Sequence, residues 1–120
     1  MPSEFVKEVA DVFAKDGPLS KVTANYTPRP SQIEFATSVA EALEKGKTLV
    51  AEAGTGTGKT FAYLVPALLK DQKVLISTAG KTLQDQLFTK DIPALLKALG
   101  MGCRVALLKG RSNYICKQRL

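Results

Sequence analysis

The chain has 120 residues, 45% of them apolar, which is enough for one small domain with its own core. No run of about 18 apolar residues occurs, the acidic N-terminal stretch is unlike a secretory leader, and two cysteines make no disulfide framework; the expectation is a cytoplasmic protein without a membrane span. The net charge of +6 is unevenly placed, residues 1–60 holding seven Lys/Arg against eight Asp/Glu and residues 61–120 holding ten against three. A basic half suits a polyanion partner, a scattered solvated face gives the same count, and charge alone does not choose.

In chain order, Ser3 is placed to cap a helix over about 3–15, with Phe5, Val6, Val9, Val12 and Phe13 as its apolar stripe and Gly17 as its stop. GPLSKVTANYTPRP, 17–30, has three prolines and no period, so it reads as a linker or extended loop. A second helix starts near Pro30 or Ser31, carries Ile33, Ala36, Val39, Ala40 and Leu43 at helical spacing, and ends at Gly46. TLVAEA, 48–53, suits a buried strand, and a helix from about Lys59 to Lys70 follows, with Pro66 expected to kink it or loosen one hydrogen bond. KVLIS, 73–77, reads as a second strand. Helices of about 80–89 and 92–99 come next, the latter with Pro93 in its first turn and Gly100 at its end. CRVALLK, 103–109, is a third strand, with Cys103 as a small buried residue. GRSNY is a loop, and ICKQRL opens one more helical turn. Strands alternating with helices predict an α/β fold, with a mostly parallel three-stranded sheet covered by helices.

AGTGTGKT, residues 53–60, fits the phosphate-loop spacing of Gly, four residues, then Gly-Lys-Ser/Thr, except that Ala53 holds the first position. Glycine lets the backbone approach a ligand and take positive φ, and successive N–H groups can then form an anion nest. A helix N-terminus behind the loop adds partial positive charge. Ala53, Gly54, Thr55, Gly56, Thr57 and Gly58 would wrap the phosphates, Lys59 would reach the β- and γ-phosphates of ATP, and the Thr60 hydroxyl would ligate Mg²⁺. The plain alternative is a flexible glycine turn. The Gly-Lys-Thr tail and the expected strand–loop–helix setting favour the phosphate loop.

Four segments together resemble one family: PRPSQ, EAGTGTGKT, ISTAGKTLQDQL and LLKGRSNYICKQRL are similar to the superfamily 2 DNA helicases of the DinG/YoaA and XPD type, from about Tyr26 to Leu120. The resemblance implies a partial RecA-like P-loop NTPase core and an ATP-dependent, 5′-to-3′ DNA helicase of repair or replication. It implies that Arg29 and Gln32 read the adenine; a polar residue in a helix's first turn is the plain alternative. It implies that Thr78, Lys81, Thr82 and Gln86 contact single-stranded or forked DNA, donors of this kind suiting phosphate oxygens. Ser77 or Thr78 could equally cap the following helix. It also implies that Cys116 is the first of four thiolates on a [4Fe–4S] cluster; one thiolate alone holds no cluster, so a free thiol is the reading for this chain by itself. Arg111 and Tyr114 would shape the start of that region.

The implied organisation is 1–25 as an N-terminal helix and linker, 26–110 as the first part of a helicase motor domain, and 111–120 as the start of a cluster domain. Hydrolysis in this class needs an acidic residue at a further strand end to hold Mg²⁺ and position water. No DEAH-like box occurs in the 120 residues, and Glu52 sits in the wrong place for that role. The expectation is therefore a chain that binds nucleotide without turnover alone, and whose open strand edges favour self-association. The competing readings are another P-loop phosphotransferase and a non-catalytic nucleotide- or nucleic-acid-binding module.

Overall fold

The structure is a computed structural model that describes residues 3–22, 27–54, 58–70 and 72–110. Its regular elements are all helical: α1 (Glu4–Val12), α2 (Pro18–Val22), α3 (Pro30–Lys45), α4 (Lys59–Leu69), α5 (Lys81–Gln86), a π turn (Leu87–Asp91) and α6 (Ile92–Leu99). Among the described residues no helix is long and apolar enough to cross a membrane.

The helix starts and stops follow local chemistry. The Ser3 hydroxyl accepts the Val6 N–H at 3.2 Å, the side-chain cap expected at the start of α1. The same hydroxyl donates to Glu44 Oε1 at 2.6 Å and so ties α1 to the last turn of α3. Ser3→Ala removes both bonds. It should cost about 1 kcal/mol, read as a lowered midpoint in a urea titration with an unchanged slope. Pro30 opens α3, and Gly46 and Gly100 stop α3 and α6 in the left-handed conformation that glycine adopts without a Cβ penalty. The helix α4 continues through Pro66 to Leu69.

One apolar core joins these helices. Packing is most extensive between α3 and α4; α1 lies against both, and α2 against α6. Val9 and Phe13 from the first helix, Leu19 from α2, Ala36 and Ala40 from α3, Leu64 and Val65 from α4, and Leu95 from α6 are all fully buried. The segment expected as a plain linker thus contains α2, whose Leu19 is a core residue. No apolar period marks so short a helix in sequence, because one buried leucine decides it.

The expected α/β fold with a three-stranded parallel sheet, and with it the RecA-like core, is not what forms: among the described residues there is no strand. The three runs at 48–53, 73–77 and 103–109 have no regular structure, and apolar side chains in each face solvent, Val50 at 94%, Leu75 at 93% and Leu108 at 84% exposure. A helix satisfies its backbone within one segment, whereas a strand exists only when a neighbour supplies the ladder. The last run is instead held by side chains: Gln84 Nε2 donates to the Leu108 carbonyl at 3.0 Å, and Lys109 Nζ lies 3.2 Å from Asp85 Oδ1. Cys103 is accordingly exposed rather than buried, because no sheet covers it. A cavity of about 790 Å³ separates the second and third runs from the helices, with Leu64, Leu68, Leu87, Phe88 and Ile92 among its walls. The Cα radius of gyration is 15.9 Å, above the roughly 13–14 Å of a compact chain this long, as expected when extended segments stand off a helical core.

The two helices expected at 80–89 and 92–99 are one continuous run, joined by the π turn. Pro93 has no N–H for the carbonyl four residues back and its ring crowds that carbonyl, so a widened turn just before it relieves the clash.

Candidate functional site

The glycine loop ends where α4 begins. Gly58 precedes the helix in the left-handed conformation, φ 74°, and Lys59 and Thr60 form its first turn. The eleven residues of α4 aim a helix N-terminus at the loop, and with it a set of unpaired N–H groups and partial positive charge. Ala53 and Gly54 lie on the approach, and a Cβ at Gly54 would meet nothing within 4 Å, so a ligand has room there. Thr55, Gly56 and Thr57 lie outside the described residues. The apolar run before the loop is not a strand, which corrects that part of the expected setting.

Gln32 is the buried polar residue of the site, 5% exposed in the first turn of α3. Its Nε2 donates to the Gly58 carbonyl at 2.9 Å. A Cβ at Gly58 would overlap that amide nitrogen, so glycine is required twice at this position, once by φ and once by the contact. The bond pins the loop's last carbonyl and occupies one of the two amide N–H groups of Gln32. Sequence reasoning assigned Gln32 to a base; the loop contact was missed, and no spacing signal marks it because the partners come from different helices. Arg29 sits one residue before α3, and its carbonyl accepts the Ile33 N–H at 3.1 Å.

A cavity of about 370 Å³ opens between α3 and the 49–54 segment, walled by Gln32, Phe35, Leu49, Gly54 and Lys59, with Glu34 and Glu52 also at its edge. That volume is within the range of small-molecule sites. Its charged groups are one ammonium and two carboxylates, so attraction for an anion rests on Lys59 and the N-terminus of α4, not on net charge. Space beside Gly54, an ammonium at Lys59 and a hydroxyl at Thr60 fit a polyphosphate with its cation.

Thr60 is half-buried in the first turn of α4, one turn before Tyr63. Burial raises the Tyr63 pKa, the Thr60 bond lowers it and the Asp91 carboxylate raises it, for a net upward shift that keeps the phenol protonated at neutral pH. The i, i+3 spacing of Thr60 and Tyr63 was the signal available in sequence.

The four expected strand-contacting residues are placed on and around α5. Lys81 and Thr82 are exposed in its first turn. Thr78 Oγ1 donates to the Gly80 carbonyl at 3.3 Å, and neither it nor Ser77 caps α5, whose cap position is Gly80 with no side-chain bond. Gln86 Nε2 donates to Asp91 Oδ2 at 3.3 Å across the π turn. Cys116, Arg111 and Tyr114 lie outside the described residues, and among those described no group of three or more His, Cys, Asp or Glu could hold a metal ion.

The family profile described as "DEAD/DEAH box helicase" matches residues 32–119, from the buried glutamine through the loop and the basic half. The chain belongs to the DEAD/DEAH box helicase family. Among relatives of this helicase-family chain, the protein named ATP-dependent DNA helicase YoaA of Escherichia coli (strain K12) is 55% identical over 112 residues, covering 93% of this chain and 18% of the relative. The YoaA of Haemophilus influenzae is 50% identical over 117 residues, 98% of this chain and 18% of its own length. The protein named ATP-dependent helicase DinG of Mycobacterium tuberculosis (strain H37Rv) is 47% identical over 102 residues, 78% of this chain and 15% of the relative. The chain thus spans less than a fifth of the length of these relatives. No solved structure gives a significant match.

Proposed function

We propose that this chain is the nucleotide-binding part of an ATP-dependent DNA helicase that unwinds in the 5′-to-3′ direction, and that it binds ATP with Mg²⁺ through residues 53–60 and single-stranded or forked DNA through the basic half. The observation that carries the reading is the Gly58-Lys59-Thr60 turn at the start of α4, locked to Gln32 and opening on a cavity. Membership of a helicase family and likeness to proteins named DNA helicases support it.

In this reading Lys59 neutralises charge on the β- and γ-phosphates, and the N–H groups at the start of α4 add to it. Thr60 would offer its hydroxyl to Mg²⁺, and the cation would supply positive charge against the phosphates. Gln32 spends one N–H on Gly58, and its remaining polar groups would take the adenine, with Arg29 beside them. Lys81 and Thr82 present an ammonium and a hydroxyl to a phosphate backbone, with Thr78 and Gln86 beside them. Phosphate contact of this kind positions a strand without reading its sequence. Without an acidic box the 120 residues alone would bind nucleotide and not turn it over. Cys116 would contribute one thiolate to an iron–sulfur cluster in a longer protein; the described residues hold no such ligand set, and no step here uses one.

Titration with a fluorescent ATP analogue in the presence of Mg²⁺ tests this directly. Lys59→Ala should weaken binding by about 10- to 150-fold, the value of a hydrogen bond to a charged group. Equal affinity in the variant and the unmodified chain would remove the loop from the site.

A further inference from the structure

The buried face of α3 is Gln32, Ala36 and Ala40, spaced four residues apart. The two alanines suit the close approach of α4, the helix against which α3 packs most extensively. Phe35, the single aromatic residue of α3, lies off that face. It packs partly against the core, stays half-buried, and forms part of the wall of the cavity of about 370 Å³ beside α3. The exposed Leu49 lines the same cavity from the 49–54 segment. An aromatic ring contributes most to a core when it is wholly buried, so packing alone leaves the place of Phe35 unexplained. Its position relative to the glycine loop is fixed through Gln32. Gln32 is bonded to the Gly58 carbonyl, and Phe35 follows it by three residues, about 4.5 Å along α3 on a neighbouring part of the helix surface. The cavity therefore has a cationic end at Lys59 and an apolar wall at Phe35 and Leu49.

We propose that Phe35 is the stacking platform for the base of the bound nucleotide, with its ring on one face of the base and Leu49 against the other. The proposal deepens the nucleotide reading above and rests on it. Gln32 and Phe35 divide the base between them: the amide meets its edge and the ring meets its face. An edge distinguishes one base from another by its donors and acceptors, whereas every base has a π face, so Phe35 supplies affinity and Gln32 selectivity. Charge sets the direction in which the nucleotide lies. Glu34 and Glu52 stand at the cavity's edge and repel phosphate, while Lys59 attracts it. The phosphates therefore face the glycine loop, and the base is left to the apolar walls.

Calorimetric titration of the chain with ATP and with inorganic tripolyphosphate, both in Mg²⁺, separates the base from the phosphates. The readout is the ratio of the two affinities. Phe35→Leu keeps an apolar side chain and removes the ring, and should lower the ratio by about 5- to 150-fold, the worth of one stacked base. Phe35→Tyr keeps the ring and should keep the ratio. A residue that only packs would weaken both ligands alike, so a Phe35→Leu ratio equal to that of the unmodified chain overturns the platform. A second measurement does not depend on the leucine variant folding. The chain has no tryptophan, so Phe35→Trp introduces a single indole. Its emission should be quenched by ATP and not by tripolyphosphate; an equal response to both, or none at saturating ATP, overturns the platform. An unmodified chain that binds neither ligand, or whose tripolyphosphate binding survives Lys59→Ala undiminished, overturns the nucleotide reading and the platform together. Binding of both ligands through Lys59 with no dependence of the ratio on residue 35 overturns the platform alone.

Discussion

Phe13→Ala should destabilise the chain by about 3–5 kcal/mol, the usual cost of removing a buried aromatic ring. Phe13 is fully buried at the end of α1, in the same cluster as Val9, Leu64 and Val65. The loss has two parts, the transfer free energy of the ring and the cavity left among neighbours that relax only partly. With total stability of a domain this size on the order of 5–15 kcal/mol, the change removes a large share. Thermal unfolding followed by helical circular dichroism should move down by roughly 10–20 °C. The effect should reach the site as well, because α1 supports α3 and α3 holds Gln32 against the loop. A shift under about 2 °C would mean that the first helix is not part of the core.

Gly58→Ala should damage both the fold and the site. At φ 74° an alanine carries a backbone penalty of about 1–2 kcal/mol. Its Cβ would also overlap the Gln32 amide nitrogen. That nitrogen belongs to a flexible side chain, but Gln32 is 5% exposed, so moving it takes the Gly58 acceptor away from a buried amide, while the exposed Gly58 carbonyl keeps the Ala62 N–H at 3.2 Å. An unsatisfied buried group adds about 1–3 kcal/mol. The expected total is about 2–5 kcal/mol, the sum of the two costs, with loss of nucleotide-analogue binding, since the displaced loop carries Lys59 and Thr60 with it. A Gln32→Ala, Gly58→Ala double variant should cost less than the sum of the single changes, because both delete the same contact. Strict additivity would show that the two residues act independently.

The glycine loop was legible because its chemistry is local. Positive φ at Gly58, a lysine and threonine in the next turn, and a helix behind them all follow from consecutive residues. The caps and stops at Ser3, Pro30, Gly46 and Gly100 were legible for the same reason: each acts on backbone groups within one turn. The stripe of α1 could be read from its period, and Val6, Val9, Val12 and Phe13 are buried as that period requires.

The runs around Val50, Leu75 and Leu108 show where such reading fails. Their apolar, partly β-branched composition is what a buried strand has, but composition supplies only one side of a ladder. Whether a partner strand lies alongside is a matter of tertiary arrangement, and here these side chains face solvent. The same limit hid α2, whose place depends on Leu19 finding a pocket beside α6. The π turn has a local cause in Pro93, and the Gln86 amide bond to the Asp91 carboxylate spans it. The sequence by itself determined α1, α3 and α4, the stops at Gly46 and Gly100 and the left-handed turn at Gly58, because hydrogen bonds within a helix and the conformational range of glycine are properties of neighbouring residues. Only the tertiary structure decided that Gln32 locks Gly58 and that no sheet forms among the described residues, because each depends on groups far apart in the chain meeting, or not meeting, in space.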